Sequence, residues 1–590
     1  VATNHNAIGR GYETFGNATA ETVERDLSGR RPGRGSATSR EWYRPLPAPV
    51  RFKWSLRDNV NYTQTGILAA LNYTALHSRE MMRDFYRKSW ASWQKGLKGK
   101  PRVFVIPADQ GDRRRVAQMI GLLLGQGIEV GRAGRDFEVK EGKFPAGTYV
   151  VRMDQPYRNY ALDLLAPQKF PKDAEVQPYD DISWALPVHF GLTATPVEDE
   201  KIMEVGLEPL KDEPAPSGRV SGTGPIYLLK DSGQESLLEA RAKLGDIKVE
   251  IAEKPFKVGD VECPAGSWVL TPAEGLAARL EKIATELGLD FESAAALPDV
   301  ARHDARLPRL ALWHPWADTQ MIGWVRLLLD RQGVPYTILR DDDIRAGGLA
   351  EKFDAIIHGD SEEDVKGQIH GIDRKFAPLA YTKTPEFPNL GFPVASEDIT
   401  GGIGWAGMAE LQKFIEGGGT LITLGNGSAL PLDGGLVSGV ERVRGDGNVW
   451  TPGVELVARF ARPTHFIAYG YSEQTSLFRE SFPVYALRKV DRGLAVLRWG
   501  TRPPLDERDA EETEEKPSAE GADKPVPMLV SGGIKGEDTL EGRPAILDIP
   551  VGKGRVLAYN FNPIHRDLNR SDHRLLWNAL LNWQVPPERN

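Results

Sequence analysis

The chain carries ten histidines and one cysteine, the residues best able to do metal, acid–base or nucleophilic chemistry. The histidines are scattered. They are read as forming no H-x-x-E, H-E-x-x-H or H-x-H, and so as offering no protein-ligated zinc site. His314 and His358 stand out by position, each closing an apolar run in "PRLALWHPW" and "KFDAIIHGD". Ligands bind at the carboxyl ends of parallel strands in open α/β sheets, although a buried structural imidazole is the plainer reading of both. Cys263, alone, excludes an intramolecular disulfide, a cysteine-based zinc site and an iron–sulfur cluster. It reads as a small buried hydrophobe. The run "GGIGWAG" precedes a helix and invites an anion at that N-terminus. It matches neither a P-loop nor G-x-G-x-x-G after a strand, so it reads as a turn. The basic stretch "DLSGRRPGRGSATSR" reads as a solvated loop, with an arginine surface for carboxylates as the sharper alternative.

The elements that must position these residues follow from periodicity. Ile67, Leu68, Leu71, Ala75, Met82, Phe85, Tyr86 and Trp93 recur at helical steps and predict one helix from Thr65 to Leu97, ended by Gly96, Gly99 and Pro101. Residues 101–133 read as strand, helix, strand: a βαβ unit of a parallel sheet. A hairpin, "FEVKEGKFPAGTYVV", follows. The same order returns in residues 224–270. Phe137 aligns with Phe256, Val139 with Val258, Pro145-Ala146-Gly147 with Pro264-Ala265-Gly266, and Val150 with Val269, at one constant offset. That is an internal duplication, in which Cys263 takes the place of Phe144. A third α/β unit opens at "PRLALWHPW" and ends in two strands and a closing helix. The acidic, low-complexity segment 503–525 reads as a solvated loop.

Length and composition bound the function. At 590 residues the chain has room for roughly four domains. With 41% apolar and 26% charged residues it is a folded protein. A net charge of -8 implies no broad basic field and argues against nucleic acid as a partner. No apolar run is long enough to span a membrane. The chain starts with Val rather than Met, so residue 1 is read as an interior point of a longer protein.

Two resemblances add to this reading. The segments "PRLALWHPW", "KFDAIIHGD", "LQKFIEGGGTLITLG" and "GKGRVLAYNFNPIHR" resemble the class I glutamine amidotransferase-like fold. That superfamily places a cysteine nucleophile, paired with a histidine, on the turn after a central strand. Here the turn carries His358-Gly359-Asp360, which implies a non-catalytic member. The segments "NHNAIGRGYETFGN" and "WYRPLPAPVRFKWSLRDNVNYTQTGILAALNYTA" resemble the end of the catalytic domain of large bacterial zinc carboxypeptidases, carboxypeptidase A-like enzymes that carry similar α/β modules downstream.

Periodicity and the resemblances together imply an α/β fold throughout: several parallel-sheet units, among them a duplicated small unit with a hairpin and, from the resemblance, an amidotransferase-like, flavodoxin-like domain. The implied domains are a carboxypeptidase remnant at 1–97, small units at 100–200 and 222–300, and the amidotransferase-like domain at 306–590. They also imply a parent zinc metallocarboxypeptidase acting on peptides, secreted or periplasmic, with the zinc ligands outside this chain. In such enzymes zinc activates water, a late Glu acts as general base, and an Arg fork holds the terminal carboxylate. Glu13 is the candidate base, in a site closed by Arg10 and Tyr12. Alternatively "KWSLRDN" matches the family's strand motif, and Ser55 stands where the base has been lost. A ligand-binding or scaffold α/β protein without catalysis is the reading from a different class. A free-standing amidotransferase-like hydrolase is disfavoured by the missing cysteine.

Overall fold

The computed structural model describes residues 2–14, 21–28, 38–42, 44–171, 173–175, 177–178, 180–504 and 526–588. Most of the arginine-rich stretch and nearly all of the acidic segment lie outside them. The chain divides into two compact units: Val1–Gly99 with Met153–Tyr160, and Lys100–Arg152 with Ala161–Asn590. Among the described residues no helix is long and apolar enough to cross a membrane.

The smaller unit pairs strand Val23–Asp26 with Arg51–Trp54, antiparallel, ahead of two helices. The single helix expected at 65–97 is two, Leu56–Leu76 and Ser78–Lys98, broken at His77. The first starts early because Ser55 and Asp58 cap it: the Ser55 backbone N–H and hydroxyl both donate to the Asp58 carboxylate, at 2.9 and 2.8 Å. Asn6 ties the N-terminal segment down, donating to Ser89 Oγ at 3.2 Å and to the Pro156 carbonyl at 3.0 Å. No residue of the Leu56–Leu76 helix is buried, and Ile67, Leu68, Leu71, Met82, Tyr86 and Trp90 stay exposed.

In the larger unit the duplication is visible as topology. Strand Val103–Ile106, helix Arg113–Gly125 and strand Gly131–Ala133 are followed by a hairpin and strand Tyr149–Arg152. Ile226–Leu229, Leu237–Leu244, Val249–Ala252, a hairpin and Trp268–Leu270 repeat that order. Phe137 faces Phe144 across the first hairpin as Phe256 faces Cys263 across the second. The shared Pro-Ala-Gly has a backbone cause. Gly147 and Gly266 sit at φ of 89° and 90°, and each donates to the carbonyl closing the preceding strand, Ala133 and Ala252, at 2.8 Å.

The parallel βαβ pairing expected of residues 101–133 and of its repeat does not form. The strands flanking each helix are not hydrogen-bonded neighbours. The strand after the hairpin slots between them, antiparallel to both. The hairpin arm reverses the chain, and the returning strand takes the place a direct βαβ pairing would have used. The two small sheets are therefore mostly antiparallel, within an α/β architecture.

The third sheet is the largest. Its parallel part runs in the order Thr337–Leu339, Leu310–Trp313, Ala355–His358, Thr420–Leu424, Gly554–Tyr559. Numbered along the chain that is 2-1-3-4-5, the flavodoxin-like order. Antiparallel strands Pro544–Val551, Ala495–Trp499, Val454–Phe460 and Gln474–Arg479 extend it. The unbroken apolar runs of the parallel strands are explained by burial on both faces. Leu312, Ile357, Ile422 and Leu557 enter one core, while Ala311, Ile356, Leu421 and Val556 enter the other. The closing helix Arg570–Leu581 adds Leu576, Trp577 and Leu580 to the first core.

Candidate functional site

A cleft of about 1000 Å³ opens over the carboxyl ends of the Ala355–His358 and Thr420–Leu424 strands. The loops after these strands approach closely because of two glycines. Gly425 sits at φ 57° against the Asp360 carboxylate, and a Cβ at Gly427 would collide with the Gly359 carbonyl. Asp360 binds the loops together. Its Oδ1 accepts from the backbone N–H groups of Ser361 at 2.8 Å and Asn426 at 2.9 Å, and Asn562 reaches its Oδ2 at 3.4 Å. Burial, reinforced by the charge of Glu480, raises the Asp360 carboxyl to about 7. Asn426 completes the join by donating to the carbonyls of Ser361 and Glu363.

Asp181, Glu480 and His565 meet at the cleft wall from three distant stretches of chain, with one donor atom of each within 4.8 Å of the others. The His565 ring is fully buried and stacks on Phe478. Its Nε2 lies 2.9 Å from Asp181 Oδ2. Its Nδ1 lies 3.0 Å from Glu480 Oε2, outside hydrogen-bonding geometry. Burial alone would lower the imidazole, but the two carboxylates outweigh it and hold His565 at about 9. The next two residues, Arg566 and Asp567, are left-handed at φ 50° and 57°, a costly conformation for side chains of this size. Arg566 then pairs with Asp180 at 3.0 Å. This trio is the set of described residues able to hold a metal ion.

Eight carboxylates and two arginines line the cleft, with Trp450, Phe482 and Met321 among its apolar residues. Arg442 is occupied by Asp446 at 2.6 Å. The surplus is negative even with Asp360 raised to about 7 and the His565 ring charged beside Asp181 and Glu480. The arrangement is able to hold a cation, and among the described residues that line it there is no cysteine.

The residues singled out from sequence fall elsewhere. His358 ends its strand behind the cleft, stacked on Trp313 with ring centroids 4.1 Å apart, its Nε2 3.1 Å from Gln368 Oε1. Burial holds it at about 4, a neutral imidazole. His314 is likewise lowered to about 4, by burial and then by Arg340. Cys263 is buried in its hairpin, and burial pushes its thiol up, away from thiolate chemistry. The 401–407 run forms a turn into helix Gly404–Glu416.

In the smaller unit Arg10 stacks over Tyr12, 5.4 Å from the ring centroid. Both line an apolar cleft with Ile8, Tyr73, Met82 and Phe85. Glu13 is exposed and is not among the residues lining it. Ser55 is a helix cap. The expectation that no H-x-x-E occurs is wrong: His77-Ser78-Arg79-Glu80 spells it. Its His77 Nδ1 lies 2.9 Å from Glu80 Oε2 on an exposed helix junction. Among the described residues of this unit no third His, Asp or Glu donor joins them, so the donor set does not fit the zinc that the peptidase resemblance implies. Asp360 closes the His358-Gly359-Asp360 turn and His565 lies within "GKGRVLAYNFNPIHR", neither with a binding role expected from its motif. Asp181 and Glu480 carried no local signal at all.

No family model matches the chain, and no curated protein matches it. Solved structures similar to parts of it include a cytoplasmic protein from Salmonella typhimurium (11% identity, 48% of this chain and 100% of that one, TM-score 0.26). PurLQS from Thermotoga maritima is another (13%, 47% and 100%, TM-score 0.28). A ThuA-like protein from Bacteroides uniformis is a third (11%, 48% and 93%, TM-score 0.26). Likeness at this level bears on neither activity nor ligand.

Proposed function

We propose that the larger unit is a ligand-binding α/β module that works without a covalent nucleophile and takes a cationic ligand over the ends of its parallel strands. The observation that carries this reading is the surplus of carboxylates in the cleft, eight against two arginines. Carboxylates gathered in one cleft sum their attraction for a cation, and apolar residues such as Trp450 and Phe482 favour an organic cation. The absence of cysteine from the His358-Gly359-Asp360 turn agrees with binding rather than amidotransferase-like hydrolysis. Calorimetric titration with spermidine tests it. We expect saturable binding that weakens with added salt and drops at least tenfold in a Glu362→Gln, Asp180→Asn double variant. Spermidine binding that is absent, or indifferent to both changes, sinks the reading.

A second reading keeps the chain within a secreted or periplasmic zinc metallocarboxypeptidase, with the α/β modules as accessories. It rests on the N-terminal resemblance. The exposed apolar side chains of the two helices support it, since such faces in proteins of this kind are normally covered. In a longer chain with chelator-sensitive carboxypeptidase activity, Glu13→Gln should lower the rate by orders of magnitude. An unchanged rate removes Glu13 from the mechanism.

A further inference from the structure

We propose that His565 and Glu480 are the protein ligands of a divalent first-row metal ion at the cleft wall, with Asp181 orienting the imidazole from behind. Two buried polar atoms carry the inference. His565 Nδ1, in a ring with no exposed surface, makes no hydrogen bond, and neither does Glu480 Oε2, 3.0 Å away. The two atoms form an ion pair outside hydrogen-bonding geometry, so no acceptor lies along the Nδ1 direction of the ring, where a buried polar atom normally has one. Two ligands each about 2.1 Å from one ion stand about 3.0 Å apart at right angles and about 3.4 Å apart at the tetrahedral angle. The observed 3.0 Å lies at the right-angled end of that range.

The far side of the ring agrees. A metal-binding histidine commonly gives its other N–H to a carboxylate, which fixes the tautomer and the ring plane. Asp181 Oδ2 takes that place at 2.9 Å from Nε2. Asp181 is in turn held by Arg566 at 3.5 Å and by the backbone of Ile182, which donates to the carbonyls of Pro452 and Gly453. The donor set, one imidazole nitrogen and one carboxylate with room for solvent in the cleft, suits zinc-class ions. The ion and the ring proton compete for Nδ1, and metal entry expels that proton. The inference deepens the cation-binding reading and rests on it for the electrostatics of the cleft, though not for the ligand pair.

The test uses full-length, tag-free protein stripped with EDTA and titrated with Zn²⁺ alone. We expect one equivalent to bind. His565→Gln should abolish that uptake, Glu480→Gln should weaken it at least tenfold, and Asp181→Asn should weaken it about 10- to 100-fold. Circular dichroism of each variant reports folding. X-ray absorption at the zinc edge of the loaded wild type needs no variant and should show imidazole in the coordination shell. No stoichiometric uptake, uptake indifferent to His565→Gln, or a shell without imidazole overturns the metal site and leaves a plain imidazolium–carboxylate pair. Spermidine binding to the metal-free protein is scored separately, so loss of one reading does not masquerade as loss of the other.

Discussion

His358 and His565 show how environment decides what one residue type does. Both are buried at the ends of elements around the same sheet. His565 has two carboxylates within 3.0 Å and is held charged. His358 has an aromatic face and an amide and is held neutral, at about 4. The pH consequence for His358 follows from the sign of that shift. Its folded value lies below the ordinary 6.5, so the unfolded chain takes up the proton first as pH falls. The stability it contributes is whole above about pH 6.5 and is lost between about 6.5 and 4, at about 1.4 kcal/mol per unit. We expect the acid limb of a melting-temperature profile to flatten over that window in His358→Gln. A variant with an unchanged acid limb would place the titration elsewhere.

At the scale of elements, the cleft depends on how closely two strand-end loops approach. Gly427 lets its loop pass against the Gly359 carbonyl, and Gly425 does the same against Asp360. Gly427→Ala must push the loops apart, breaking the Asp360 bridge to the Asn426 backbone at 2.9 Å. We expect this variant to fold and to lose about 1–3 kcal/mol, the cost of unpairing buried polar groups. It should also bind spermidine at least tenfold more weakly. Wild-type binding in Gly427→Ala would show that the loop join does not shape the cleft. The duplicated units teach a related lesson. Their hairpins and Pro-Ala-Gly turns were legible because a turn at positive φ demands glycine locally. Their strand order was not, because a strand–helix–strand run is silent about which later strand slips between its arms.

For the molecule as a whole, what local sequence determined is what local physics controls. The α/β class, the apolar strands buried on both faces, the duplication and the closing helix were all readable, since periodicity, turn chemistry and repeat spacing act within a few tens of residues. The apolar helical stretch was readable too. Its break at His77 and its start at Ser55 were not, although Ser55-x-x-Asp58 offered the capping signal. Tertiary structure alone decided the site. Asp181 and His565 are 384 positions apart, and Glu480 follows an antiparallel strand with no motif of its own. Nothing in the spacing of three scattered residues encodes that their donor atoms lie within 4.8 Å. That proximity comes from the register of a mixed sheet and the loops at its strand ends, and the same packing removes the water that would have screened their charges.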